Sequence, residues 1–140
     1  MRVWTINSTL SITRQTNGEL PGLPFSDIKK QILGSKYNLH ILLANIKTSS
    51  QLHKQWKGKD GPADTLAFPL SDSSGEIVLS LSTIRKQAKN YNMSYNEFLV
   101  YIMIHGMFHL RGFDHGPEME KQEAQIMRKF NMPNPPRHEI

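Results

Sequence analysis

Histidines stand at positions 105, 109 and 115 in the stretch HGMFHLRGFDH, three of the six in a chain of 140 residues. Imidazole is the commonest protein ligand for transition metals, because it is neutral near physiological pH. Residues four apart on a helix stack on one face, so His105 and His109 present their rings side by side. Gly112 is placed to stop that helix in a left-handed cap, and the chain beyond it can bring His115 back to the same point. Three nitrogen ligands on one side of an ion leave a fourth position for water, the layout of a catalytic zinc site. A closed structural site takes four protein ligands, often cysteines, and this chain has no cysteine. Two histidines at helical spacing are readily explained as packed core residues. A third, with a glycine stop that lets it return, argues for a metal.

The same spacing fits the metzincin protease pattern H-E-x-x-H-x-x-G-x-x-H at its histidines and glycine. Gly106 stands where that pattern has the glutamate base, so peptide hydrolysis by that route lacks its proton acceptor. A glycine inside a helix costs roughly 1 kcal/mol relative to alanine. Gly106 therefore implies that something passes close to the helix backbone there.

The helix carrying these residues starts at SYNE, a capping-box pattern in which Ser94 caps the first turn and Glu97 reaches back. It runs through FLVYIMIHGMFHL, too short for the roughly 20 apolar residues of a membrane span and expected to be a buried core helix. Ahead of it, RVWTINS alternates as a strand and runs into a Gly- and Pro-containing loop, TRQTNGELPGLP. FSDIKKQIL has helical spacing, with Gly34 as its stop. NLHILLANI reads as a buried central strand, and SSQLHKQWKGKDG as a short helix dissolving into a basic turn. TLAFPL and EIVLSLS read as two more strands, and the chain is helical beyond about residue 82. A last helix spans about Pro117 to Phe130. Together these predict an α+β domain over residues 1–132, with a small mixed β-sheet against a long buried helix and a zincin-like metal site at that helix's end. Residues 133–140 are expected to form a disordered tail. His40 is expected to be packed and hydrogen-bonded, His53 to face a cleft and His138 to be solvated. Met103, Met107, Met119 and Met127 are expected in the core.

Composition bounds the partners. Hydrophobic residues make up 38% and charged residues 21%, the balance of a soluble globular domain. The net charge of +5 and pI near 9.6 favour a polyanion, nucleic acid first. The start of the chain, MRVWTINSTLSI, lacks the apolar run and cleavage site of a signal peptide. The absence of cysteine suits a reducing cytoplasm.

HGMFHLRGFDH resembles the signature H-G-x-L-H-L-x-G-Y-D-H of the YbeY family, bacterial zinc-dependent endoribonucleases that act in ribosomal RNA maturation. Gly106 belongs to that pattern, and Phe108 and Phe113 replace its usual leucine and tyrosine. LHKQWKGKDGPADTLAFPL is similar to the family's L-N-R-x-Y-R-x-x-D-x-P-T-D-V-L-S-F-P, keeping Leu52, Asp60, Pro62, Asp64, Leu66, Phe68 and Pro69. GEIVLS, from Gly75, looks like its G-D-I-x-I-S strand, and EMEKQEAQIM, from Glu118, like its final helix. The resemblance covers most of the chain from Leu39 onward. His53, Ala63, Ala67 and Glu76 stand for asparagine, threonine, serine and aspartate. Lys57 falls on a functionally important arginine of the family; it keeps the charge and loses the planar fork.

The resemblance implies a single-strand-specific, metal-dependent endoribonuclease in ribosomal RNA processing and ribosome maturation. Its partners would be ribosomal RNA and the small ribosomal subunit or its assembly factors, in the cytoplasm. One Zn2+ on His105, His109 and His115 is the expected cofactor, with nickel or another divalent ion left open. Zinc on three neutral histidines lowers the pKa of its water to about 7. The hydroxide would promote phosphodiester cleavage by attack on phosphorus or by deprotonating a 2′-hydroxyl. Lys57 and Lys59 sit on a basic turn as RNA contacts, Lys57 also as a catalytic group, with Trp56 as a stacking surface. Asp114 is expected to accept a ring N–H, to handle a proton, or only to bond its own backbone in a turn. The competing readings are a non-catalytic ribosome assembly factor, whose metal mainly holds the helix end, and a zinc hydrolase of other substrates.

Overall fold

The computed structural model describes residues 2–17 and 21–133. His138 and all of the expected tail except Pro133 lie outside them. Five strands, β1 (Arg2–Asn7), β2 (Leu10–Arg14), β3 (Asn38–Leu43), β4 (Thr65–Ser71) and β5 (Ser74–Leu79), form one sheet in the order β1-β2-β3-β5-β4. β2, β3 and β5 run parallel, and β1 and β4 lie antiparallel at the two edges. The mixed sheet matches the expectation. Central β3 alternates between two covered faces: Leu39, Ile41 and Leu43 are almost fully buried on one, and His40 and Leu42 are half-buried on the other. That double cover explains its near-continuous apolar run. His40 is packed as expected, its ring nitrogens bonded to Ser11 Oγ and Thr13 Oγ1 at 2.8 and 2.9 Å.

The helices are α1 (Phe25–Ile32), α2 (Ile46–Lys57), α3 (Leu81–Asn90), α4 (Tyr95–Leu110) and α5 (Pro117–Lys129). α4 is buried on nearly every side, as a helix apolar all round must be. It lies on β4 and β5 and is covered by α1, α3 and α5. α2 covers the opposite face, where Leu52 and Phe68 pack on Ala44, Leu66 and Val78. Gly106 is where α4 meets the sheet. A Cβ there would lie 3.2 Å from Ile77 Cδ1 and 3.4 Å from Thr65 Oγ1, so the close neighbour expected from the glycine is the sheet itself.

Some element boundaries differ from the sequence reading. Thr13 and Arg14, assigned there to a loop, belong to β2, where they pair with Leu42 and Leu43. Asn45 does not extend β3; its side chain accepts a hydrogen bond from the Thr48 N–H at 2.8 Å, so α2 begins at Ile46 rather than at the later serines. Likewise β5 ends at Leu79, and Leu81 and Ser82 open α3.

Candidate metal centre

Both ends of α4 are closed by local bonds. At its start the Ser94 side chain accepts from the Glu97 N–H, and Glu97 accepts from the Ser94 N–H. At its end Gly112, with φ +92°, donates to the His109 carbonyl at 2.9 Å, and Phe113 donates to the Phe108 carbonyl at 3.1 Å. This is the Schellman arrangement, and its apolar contact is present as the Phe108 and Phe113 rings, 5.3 Å apart. The reversal aims the next residues back along the helix and carries His115 to His105 and His109. A left-handed φ disfavours any L side chain by roughly 1–2 kcal/mol. Gly112→Ala is therefore expected to lower the melting temperature of the metal-free protein and to weaken its metal affinity, read by thermal unfolding with and without zinc.

The three rings converge. Their centroids are 4.5, 4.9 and 4.6 Å apart, and one nitrogen from each lies within 4.8 Å of the others. The protonation of two of them follows from their partners. His105 Nδ1 lies 2.6 Å from the buried carboxylate of Glu123 on α5, and His109 Nδ1 lies 3.0 Å from the Phe113 carbonyl. Both partners are acceptors, so each Nδ1 carries the proton and donates it. The two Nε2 atoms, left with lone pairs, face each other at 3.1 Å. Two nitrogens on one tetrahedral zinc, each at about 2.05 Å, would be about 3.3 Å apart. A cation is what two facing lone pairs accommodate, and the donor set fits zinc.

Burial pushes the His105 imidazole down to about 4, with repulsion from His115 adding to it and Asp64 opposing. Burial does the same to His109, again to about 4, with His105 adding to it. At neutral pH both are already in the ligating form, and protons compete with metal at these two sites only as the pH falls toward 4. Three imidazoles titrating at their ordinary pKa of about 6.5 would lose well over a thousandfold in affinity between pH 7 and 5. Chelator competition at the two pH values is expected to show a far smaller loss, because His105 and His109 stay neutral across that range.

The histidines line a cleft of about 540 Å³. Residues from Pro62 to Ala67, leading into and along β4, form one wall, and Gly112 to His115 form the other. Lys57, the last residue of α2, and Lys59, just past Gly58, the left-handed cap of that helix, stand exposed at its mouth. The Lys57 charge contributes to the lowering at His109. His53 also lines the cleft, and its Nδ1 donates to the Gly61 carbonyl at 3.0 Å.

The expected site residues do not all gather there. His105, His109, His115, Lys57, Lys59 and Asp114 line the cleft. Trp56 is not among the lining residues; it is 61% exposed and meets Phe68 edge to face at 5.4 Å. Asp114 is exposed at the lip, while the ring N–H groups of His105 and His109 go to Glu123 and Phe113. Glu123 was missed in the sequence reading, although a signal was there. It lies midway between the buried Met119 and Met127 at four-residue spacing, a carboxylate in the apolar stripe of α5. Asp64, half-buried in the cleft wall, was noted only as part of a motif.

Comparison with known proteins gives concordant results. A family model described as Endoribonuclease YbeY matches residues 23–132. A protein of Persephonella marina named Endoribonuclease YbeY is 36% identical over 97 residues, covering 64% of this chain and 62% of its own length. One of the same name from Petrotoga mobilis is 33% identical over 124 residues, covering 83% and 85%. The solution structure of a Thermotoga maritima protein superposes with a TM-score of 0.53 at 25% identity, covering 76% of this chain and 78% of that one.

Proposed function

The chain belongs to the YbeY family, and from that premise we propose that it is a metal-dependent endoribonuclease that cuts single-stranded RNA in ribosomal RNA processing. The observation that carries the reading is the pair of Nε2 lone pairs facing each other beside His115 in a cleft whose mouth holds two lysines. We assign zinc to His105, His109 and His115, and ribosomal RNA, within the small ribosomal subunit or its precursors, as the substrate. A cytoplasmic location accords with this role; among the described residues no helix is long and apolar enough to cross a membrane.

A zinc ion held there would supply positive charge beside the phosphate and an acidified water. The residues do the rest. Glu123 keeps the His105 proton on Nδ1 and so keeps Nε2 turned to the cleft. Lys57 offers its ammonium to the phosphate oxygens that gain charge as the bond breaks. Lys59 adds to the field that draws the strand in, and Asp114, at the lip, is placed to take up or return a proton. The assembly-factor alternative gives the metal the task of holding the helix end. The hydrogen bonds of Gly112 and Phe113 already do that, so the reading is not favoured.

The test is cleavage of ribosomal RNA fragments containing both paired and unpaired segments by zinc-loaded protein. Cuts confined to unpaired segments support the proposal; intact RNA overturns it. RNA affinity is expected to fall steeply with salt. Lys57→Arg restores a fork that can hold two phosphate oxygens and is expected to raise turnover several-fold, to about tenfold at most. Unchanged turnover would remove position 57 from the site.

A further inference from the structure

One wall of the cleft is built by the start of β4, at an edge of the sheet. β4 is an edge strand, paired only with β5 among the described residues. The Ser80 N–H donates to the Asp64 carbonyl, and Leu66 pairs with Val78. Backbone groups alternate sides along a strand, so Asp64, Leu66 and Phe68 bond toward β5. Thr65 and Ala67 turn their N–H and C=O groups the other way, out of the sheet. Both residues line the cleft, are part-exposed and carry short side chains. Thr65 adds a hydroxyl that is buried without a hydrogen-bond partner among the described residues. The next outward position is Pro69, which has no N–H and ends the row.

We propose that this edge is the rail that holds the substrate, with the bases of a single RNA strand hydrogen-bonded to the main chain of Thr65 and Ala67. The proposal rests on the RNA-cleaving function above and names what selects the strand. Phosphates only accept hydrogen bonds, so they satisfy the outward N–H groups and leave the outward carbonyls bare. A base edge carries donors and acceptors together, as the strand edge does. A base within a duplex has spent that edge on its partner, so only unpaired RNA fits the rail. Thr65 and Ala67 stand about 6.8 Å apart along the strand, comparable to one step of an extended nucleotide chain. An added peptide strand would need the row to continue where Pro69 stops it. The lysines at the cleft mouth favour a polyanion over a neutral peptide.

Ala67→Pro isolates the outward N–H. The ladder of β4 uses Leu66 and Phe68, and an edge strand tolerates proline where its N–H points away, as Pro69 already shows. The zinc-loaded variant is expected to keep the parent's melting temperature and zinc affinity. Its affinity for a single-stranded oligonucleotide, and its turnover of it, should fall roughly tenfold, the effect of one lost hydrogen bond. A folded variant that binds and cuts RNA like the parent overturns the rail. Should the variant not fold, the parent answers instead: the backbone amide resonances of Thr65 and Ala67 should shift on titration with a 2′-O-methyl phosphorothioate oligonucleotide. Unmoved resonances at saturation overturn the proposal, as would shifts caused by an extended peptide and not by RNA. A parent that neither binds nor cuts RNA would overturn the function itself, and the rail with it.

Discussion

His109→Ala is expected to reduce RNA cleavage at least a thousandfold while leaving the fold in place. His109 supplies one of three nitrogens, and without it the ion keeps two side-chain ligands. A metal that polarises a phosphoryl oxygen and acidifies water contributes several kcal/mol to the transition state, and about 4 kcal/mol is a thousandfold in rate. The fold should survive for two reasons. The imidazole is only half-buried, and alanine is the better helix former. The bonds that close the helix run from Gly112 and Phe113 to main-chain carbonyls that alanine retains. Single-turnover cleavage by the variant, beside its circular dichroism and melting curve, separates loss of the centre from loss of structure. A variant that melts like the parent and cuts like it would exclude His109 from the chemistry.

The second large effect belongs to Glu123, a residue expected never to touch the metal. Its carboxylate is almost fully buried and accepts a hydrogen bond from the His105 Nδ1–H at 2.6 Å. Glu123→Ala leaves that ring without the partner that selects its tautomer, so the proton can move to Nε2 and compete with the metal. Outer partners of this kind are worth about tenfold to a hundredfold in metal affinity. The orphaned N–H adds a cost to folding of about 1–3 kcal/mol. Glu123→Gln retains an acceptor oxygen and is expected to recover most of the affinity. Chelator competition on the two variants is the measurement. Equal affinities for alanine, glutamine and parent would reduce Glu123 to a packing residue.

What could be read from the sequence was local. His105, His109, Gly112 and His115 are linked by helix periodicity and one left-handed turn, so their convergence followed from spacing alone. The capping box at Ser94 and the buried strand around Ile41 are legible for the same reason. The contributions of distant segments were not. Glu123 reaches His105 from another helix, and its apolar stripe shows that it is buried without showing against what. β2 was hidden because Thr13 and Arg14 run directly into polar and glycine residues that resemble a loop, and its pairing with β3 is set across α1. Trp56 looked like a cleft residue beside Lys57, yet one step along α2 turns it away toward Phe68. The outward N–H and C=O groups of Thr65 and Ala67 depend on which strand ends the sheet, which no local pattern reveals.

Metal content, measured by elemental analysis on the parent and on His105→Ala, His109→Ala and His115→Ala, goes to the centre of the account. One equivalent of zinc per chain in the parent, and a small fraction of that in each variant, is the expected result. A parent whose zinc survives the loss of any one of the three histidines would contradict it.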